Sequence, residues 1–282
     1  MRLVTFGQNG KERVGVVQGS EVVDVTAAAP TMLALIQAGS AGRESVRREL
    51  EKGARLALNS VTLRSPIPRP AKNVICIGRN YKEHVAETGA SLPSEPIWFT
   101  KAVTAICGPY DDIALDLSIS RDFDWEVELA LVIGREGRHI GKDHALDYVH
   151  SYAVFNDFSV RDIQNGRRQW FLGKSYEKSA PLGPWLITPD ELGDPQSLNV
   201  RCRVNGIVKQ ESNTSLMIFD IATCIADISR IMTLEPGDII STGTPSGVGF
   251  SRNPPEFLKP GDVMETEIDG IGTLRNRLVS AG

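Results

Sequence analysis

The stretch Asp124-Trp125-Glu126-Val127-Glu128-Leu129-Ala130-Leu131-Val132-Ile133 decides how this chain reads. Its second half is a continuous apolar run, which suits a strand buried on both faces. Alternate side chains of a strand share a face, so Glu126 and Glu128 point the same way. Two neighbouring carboxylates on a mainly apolar strand repel each other unless a cation sits between them. A divalent metal is one solution, and an exposed edge strand is another.

Downstream comes Phe155-Asn156-Asp157-Phe158-Ser159-Val160-Arg161-Asp162. Ser159 and Asp162 have the spacing of a capping box, which predicts a short helix starting at Ser159 and leaves Asp157 at the end of a strand. A carboxylate there serves equally as a turn residue or a metal ligand. With Glu126 and Glu128 it completes three hard oxygen donors, suited to Mg²⁺, Mn²⁺ or Ca²⁺ and poor for copper or structural zinc. Three protein ligands leave positions for water and substrate.

Upstream, Gly78-Arg79-Asn80-Tyr81-Lys82-Glu83-His84-Val85-Ala86-Glu87 follows a buried strand expected over 73–77. His84 and Glu87 face each other one helical turn apart. A carboxylate beside an imidazole orients it and raises its basicity, although an exposed His on a charged helix gives the same pattern. His139, His144 and His150 read as surface or loop residues. Gly173-Lys174-Ser175 reads as a loop without the glycine spacing of a phosphate loop, so Lys174 either steadies an anion or stays solvated. The run Ser241-Thr242-Gly243-Thr244-Pro245-Ser246-Gly247-Val248-Gly249 follows another strand. Its glycines allow backbone N–H groups to approach a carboxylate or phosphate, or simply form a tight loop.

The frame around these motifs is strand-rich. Three short strands are expected within 2–25, with Gln8-Asn9-Gly10 as a turn signal. Two helical stretches follow, one with Met32, Leu33, Leu35 and Ile36 on its apolar face and one over the charged run 43–55. Pro66, Pro68 and Pro70 break regular structure and mark a linker. The expected division is a small module over 1–65 and a main unit over 71–282. Within the latter, 127–133, 150–156, 198–204, 238–242 and 264–268 read as strands, and Ile218 to Met232 carries helical spacing. The fold class is therefore α+β and strand-rich.

Composition narrows the function. The chain has 282 residues, 41% hydrophobic and 23% charged, as in globular proteins. With 31 Lys+Arg against 35 Asp+Glu the net charge is −4, which argues against a nucleic-acid partner. No run approaches the ~18 apolar residues of a membrane span, and the first 17 residues do not read as a signal peptide. Cys76, Cys107, Cys202 and Cys224 sit in apolar surroundings without a Cys-x-x-Cys pair. The expectation is reduced, buried cysteine in a cytoplasmic protein.

In their order, the Gly78-Arg79-Asn80-Tyr81 run with His84 and Glu87, then Glu126-Val127-Glu128, Asn156-Asp157 with Ser159, Arg161 and Asp162, Gly173-Lys174-Ser175, and Thr242-Gly243-Thr244-Pro245 closely resemble the fumarylacetoacetate hydrolase family over about residues 71–279. The resemblance implies a mixed β-roll around a divalent metal, with 1–65 as a small α/β accessory domain, and a homodimer. It implies Glu126, Glu128 and Asp157 as metal ligands, with Mg²⁺ or Mn²⁺ ahead of Ca²⁺. His84 and Glu87 correspond to the water-activating pair and Lys174 to a catalytic lysine. Arg161, Gln164 and Thr244 match positions near the substrate. The implied activity is metal-dependent hydrolysis of a C–C bond in a 1,3-dicarbonyl 2-oxo acid, such as an acylpyruvate, fumarylpyruvate or 2,4-diketo sugar acid. Decarboxylation of oxaloacetate and isomerisation of a 2-hydroxy-diene-dioate are alternatives on the same metal site. A non-catalytic oxo-acid or metal-binding protein is an alternative of another class, against which the His84–Glu87 pair argues, since binding needs no base.

Overall fold

Val127–Ile133 forms a strand in which every residue is buried, as the apolar run predicts. The computed structural model describes residues 1–8 and 10–282, so Asn9 of the expected first turn lies outside the described residues. The strands Arg2–Gln8 and Lys11–Gln18 pair antiparallel on either side of it, with Gln8 opposite Lys11.

The chain is a strand-rich α+β protein with mixed sheets. A twelve-stranded sheet runs, in spatial order, through Arg55–Ala57, Glu21–Asp24, Lys11–Gln18, Arg2–Gln8, Ala180–Ile187, Val149–Asn156, Val127–Ile133, Ile239–Ser241, Val74–Gly78 and Ile97–Lys101, with two short strands beside this path. A five-stranded sheet carries Asn199–Val204, Val263–Ile268 and Gly272–Ser280. The N-terminal strands join the main sheet directly, because Arg2 and Leu3 pair with Ile187 and Leu186.

Four adjacent strands position the site. Ile239–Ser241 and Val74–Gly78 are parallel, with Ile240 opposite Ile75. Their C-terminal ends therefore meet at one edge of the sheet. Val127–Ile133 is antiparallel to the first of these, which brings its N-terminal end, with Glu126 and Glu128, to the same edge. Val149–Asn156 is antiparallel in turn, and Val127 pairs with Asn156. Asp157 thus falls opposite Glu126, and its N–H donates to the Glu126 carbonyl at 2.9 Å.

Both faces of the central strand are packed. Val127, Leu129, Leu131 and Ile133 join a core with Val200, Cys202, Ile221 and Ile225 from the second sheet and the Ile221–Ile231 helix. Ala130 and Val132 join another with Met32, Leu35 and Ile36. Leu129 has no exposed surface, so Leu129→Ala is expected to cost about 2–5 kcal/mol in urea unfolding. A loss below 1 kcal/mol would show that this strand is not the packed centre.

Three local expectations require correction. The capping box at Ser159 does not form. Ser159–Val160 instead pairs with Phe123–Asp124, and the Ser159 hydroxyl donates to the Asp157 carbonyl at 2.8 Å. The helix starts two residues later, over Arg161–Asn165. The expected helix from Ile218 begins at Ile221, because Asp220 caps it by accepting from Thr223 N–H at 2.7 Å. His150 is buried in Val149–Asn156 rather than at the surface, its Nδ1 3.0 Å from the Ser151 hydroxyl. The four cysteines are buried and unpaired.

Burial, with the nearby positive charges of Arg43 and the N-terminus, pushes the His150 pKa down from 6.5 to about 4. Below pH 6.5 the unfolded chain takes up this proton and the folded one does not. Stability therefore falls as pH drops from 6.5 towards 4, by up to about 3 kcal/mol from this residue. Comparing His150→Gln with the parent in denaturant titrations across that window should give a shallower pH slope for the variant; equal slopes would contradict this assignment.

Candidate metal centre

Carboxylate oxygens of Glu126, Glu128 and Asp157 lie within 4.8 Å of one another, and all three residues are buried. Cations crowd around them. Lys174 Nζ bridges Glu126 and Asp157 at 2.7 Å each, and Lys101 Nζ reaches Asp157 at 2.8 Å. Arg161 pairs through Nη1 with Glu126 at 2.7 Å and through Nε with Asp124 at 2.8 Å. Glu128 has no cation partner among the described residues. It accepts from the Ser241 hydroxyl and from Gly243 N–H at 3.0 Å.

The electrostatics divide the two glutamates. Burial raises the Glu126 carboxyl, but Lys174 and Arg161 outweigh it and hold the group at about 2. Burial drives the Glu128 carboxyl well up, and Asp157 and Glu126 push it in the same direction. Asp124, Glu126, Glu128 and Asp157 outnumber the three paired cations. A buried carboxylate excess of this kind, built from hard oxygens, fits a divalent cation.

His84 lies on the Lys82–Glu87 helix and is only 7% exposed, so the solvated reading of this pair does not hold. Its Nδ1 is 2.8 Å from Glu87 Oε1. That contact assigns the ring proton to Nδ1 and leaves Nε2 as the basic nitrogen. Glu87 Oε2 in turn accepts from Gly247 N–H at 2.8 Å. The glycine-rich run thus points backbone donors at carboxylates of the chain itself, as Gly249 N–H also does to Asp124 at 2.7 Å.

A cavity of about 300 Å³ opens onto Glu126 and Glu128, with His84, Arg161, Gln164, Lys174 and Thr244 in its wall. Lys174 ends a short helix, Phe171–Lys174, rather than lying in a loop, and is 2% exposed. Arg161 Nη1 donates to Gln164 Oε1 at 3.0 Å, while its buried Nη2 has no partner. The Thr244 hydroxyl is already engaged, donating to the Val127 carbonyl at 2.9 Å and accepting from Gln210 Nε2 at 2.8 Å. All nine residues singled out from the sequence therefore converge on this one corner of the fold.

Sequence reasoning missed three members of the site. Lys101 sits at the end of a strand with no motif around it. Asp124 opens the decisive stretch but shows its role only through Arg161. Asn80 is fully buried and ties three loops together, donating to the Thr242 and Phe219 carbonyls at 2.8 and 3.0 Å while Phe219 N–H donates back to it at 2.8 Å. Its place in the Gly78–Tyr81 run was the available signal.

The edge-of-sheet carboxylates and the His–Glu pair sit in a fold shared by a superfamily of enzymes that includes hydrolases, isomerases and tautomerases. The chain belongs to the fumarylacetoacetate hydrolase family: the family model described as "Fumarylacetoacetate (FAA) hydrolase C-terminal" matches residues 73–279. Among curated relatives, the Bos taurus protein named "Oxaloacetate tautomerase FAHD2A, mitochondrial" is 45% identical over 268 residues, 93% of this chain and 85% of its own length. Among solved structures, the fumarylacetoacetate hydrolase of Exiguobacterium antarcticum superposes with a TM-score of 0.91 at 38% identity, covering all of both chains. Maleylpyruvate hydrolase from Sphingobium sp. SYK-6, solved with manganese(II) and pyruvate, superposes with a TM-score of 0.85 at 33% identity, again over both full chains.

Proposed function

We propose that this protein is a divalent-metal-dependent enzyme that interconverts the keto and enol forms of a 2-oxo acid of the oxaloacetate type. The observation that carries this reading is one cavity lined both by Glu126 and Glu128 of the buried acidic triad and by His84, which Glu87 holds at 2.8 Å. The sequence relatives named as oxaloacetate tautomerases support the substrate class.

Glu126, Glu128 and Asp157 would hold the cation, Mg²⁺ or Mn²⁺ by their donor chemistry. When bound, it would supply positive charge against the oxygen that becomes negative during enolisation. His84 Nε2 takes the proton from the carbon next to the keto group, and Glu87 steadies the imidazolium through Nδ1. Lys174 and Arg161 hold Glu126 ionised, and Arg161 Nη2 is left free to donate to a substrate carboxylate. Return of the proton to oxygen completes the enol without net gain or loss.

C–C hydrolysis of an acylpyruvate is a second reading, supported by the maleylpyruvate hydrolase relative. There His84 would take its proton from water instead of carbon. The deciding experiment presents Mn²⁺-loaded protein with enol-oxaloacetate and with a panel of acylpyruvates, following loss of ultraviolet absorbance. Acceleration of oxaloacetate ketonisation supports the first reading. Pyruvate release from an acylpyruvate without that acceleration favours the second, and inactivity on both leaves neither standing.

The division of labour is part of the same proposal: 1–65 as an accessory module and 71–282 as the catalytic unit. So is a homodimer, for which light scattering should give twice the 30.8 kDa chain mass. A mass near 30.8 kDa at micromolar protein would refute the dimer.

A further inference from the structure

Arg79 is the one cation in the wall of the cavity without an anionic partner among the described residues. Lys174 is committed to Glu126 and Asp157, and Arg161 to Asp124 and Glu126. The Arg79 guanidinium instead lies over the Trp170 ring, 5.8 Å from its centroid. Trp170 meets Phe99 edge-on, with ring centroids 5.3 Å apart, and Lys174 Nζ sits 5.2 Å from the Phe99 ring on the triad side. The two aromatic rings therefore form a wall with one cation at each end, Lys174 at the triad and Arg79 away from it.

This wall is held in place. A Cβ added at Gly78 would stand 2.4 Å from Trp170 Cζ3, so the edge of the indole packs against a backbone position that leaves no room for a side chain. Arg79 itself adopts φ 58°, a left-handed conformation that L side chains disfavour. Such strain persists where the surroundings enforce it, often at ligand-binding positions. A planar, permanently charged group over an aromatic ring in the wall of this cavity is suited to grip a carboxylate through two parallel N–H donors.

We infer that Arg79 binds the second carboxylate of a 2-oxo dicarboxylic acid whose 2-oxo acid end lies at the Glu126–Glu128–Asp157 triad, and so selects dicarboxylic over monocarboxylic substrates. This inference rests on the proposed 2-oxo acid chemistry of the same cavity and deepens it by assigning the substrate's far end.

The test is calorimetric titration of Mn²⁺-loaded protein with pyruvate and with oxaloacetate, for the parent, Arg79→Gln and Arg79→Lys. Mn²⁺ titration of each variant checks that the triad is intact. The parent should bind oxaloacetate more tightly than pyruvate. Arg79→Gln should lose roughly 10–100-fold in oxaloacetate affinity, the worth of a charge-assisted hydrogen bond, with pyruvate affinity unchanged. Arg79→Lys should recover part of that loss, since it keeps the charge but not the planar fork. Equal losses for both ligands, or no loss for either, would overturn the role of Arg79 while leaving the 2-oxo acid reading intact. If the parent binds neither ligand, the functional reading falls and this inference falls with it.

Discussion

Glu128→Gln should remove divalent-metal binding and turnover together while leaving the protein folded. Glu128 is the triad member without a cation partner, and its carboxyl is pushed well above the usual range by burial, Asp157 and Glu126. Its ionised form is favoured by the charge of Lys174, the Ser241 hydroxyl and the Gly243 N–H, which burial and the two neighbouring carboxylates outweigh. A bound cation is what would repay three clustered carboxylates, so the amide should lower Mn²⁺ affinity by more than about 100-fold, the upper end of what outer-shell partners alone contribute. The metal-free variant should melt no lower than the parent, because the substitution removes a buried like-charge repulsion and keeps the shape. Calorimetry with Mn²⁺ and a thermal melt decide the matter. Parent-like Mn²⁺ affinity in Glu128→Gln would place the metal elsewhere.

The second large effect is at His84. His84→Ala should lower turnover by about 10²–10⁴-fold, the usual contribution of a positioned acid–base group. Mn²⁺ affinity should change little, since the imidazole is outside the triad. Glu87→Gln should give a milder loss, because the Nδ1 contact at 2.8 Å orients the ring without moving the proton itself. Any metal-promoted decarboxylation of oxaloacetate should survive His84→Ala far better, since that step removes carbon dioxide rather than a proton. If His84→Ala ketonises oxaloacetate at the parent rate, the base lies elsewhere in the cavity.

Much of this site was legible in one dimension because its chemistry is carried by short motifs. The apolar run after Glu126-Val127-Glu128 pointed to a buried strand, and two carboxylates on one face of it called for either a cation or an exposed edge. The i,i+3 spacing of His84 and Glu87 specified their contact once a helix formed there. Both inferences need only local geometry, the period of a strand and the pitch of a helix. Hence the pairing at 2.8 Å appears as expected, and the strand bounds at Val127 and Ile133 coincide with the apolar run.

Local patterns failed where a distant segment competed for the same atoms. The Ser159 capping box lost to strand pairing with Asp124, a partner 35 residues away that a Ser-x-x-Asp pattern cannot reveal. His150 looked like a loop residue until Val149–Asn156 was covered on both sides. Asn80 gained its role only because parallel pairing of Ile239–Ser241 with Val74–Gly78 brings its loop to the edge that holds Glu126, and Lys101 gained its own because its side chain reaches Asp157 from the strand paired with Val74–Gly78. Residue types and short spacings by themselves determined which groups could bind a hard metal and act as a base. Tertiary structure alone decided which cations neutralise which carboxylates, and left Glu128 and Arg79 without charged partners among the described residues, because ion pairing between segments far apart in the chain depends on sheet order and register rather than on sequence distance.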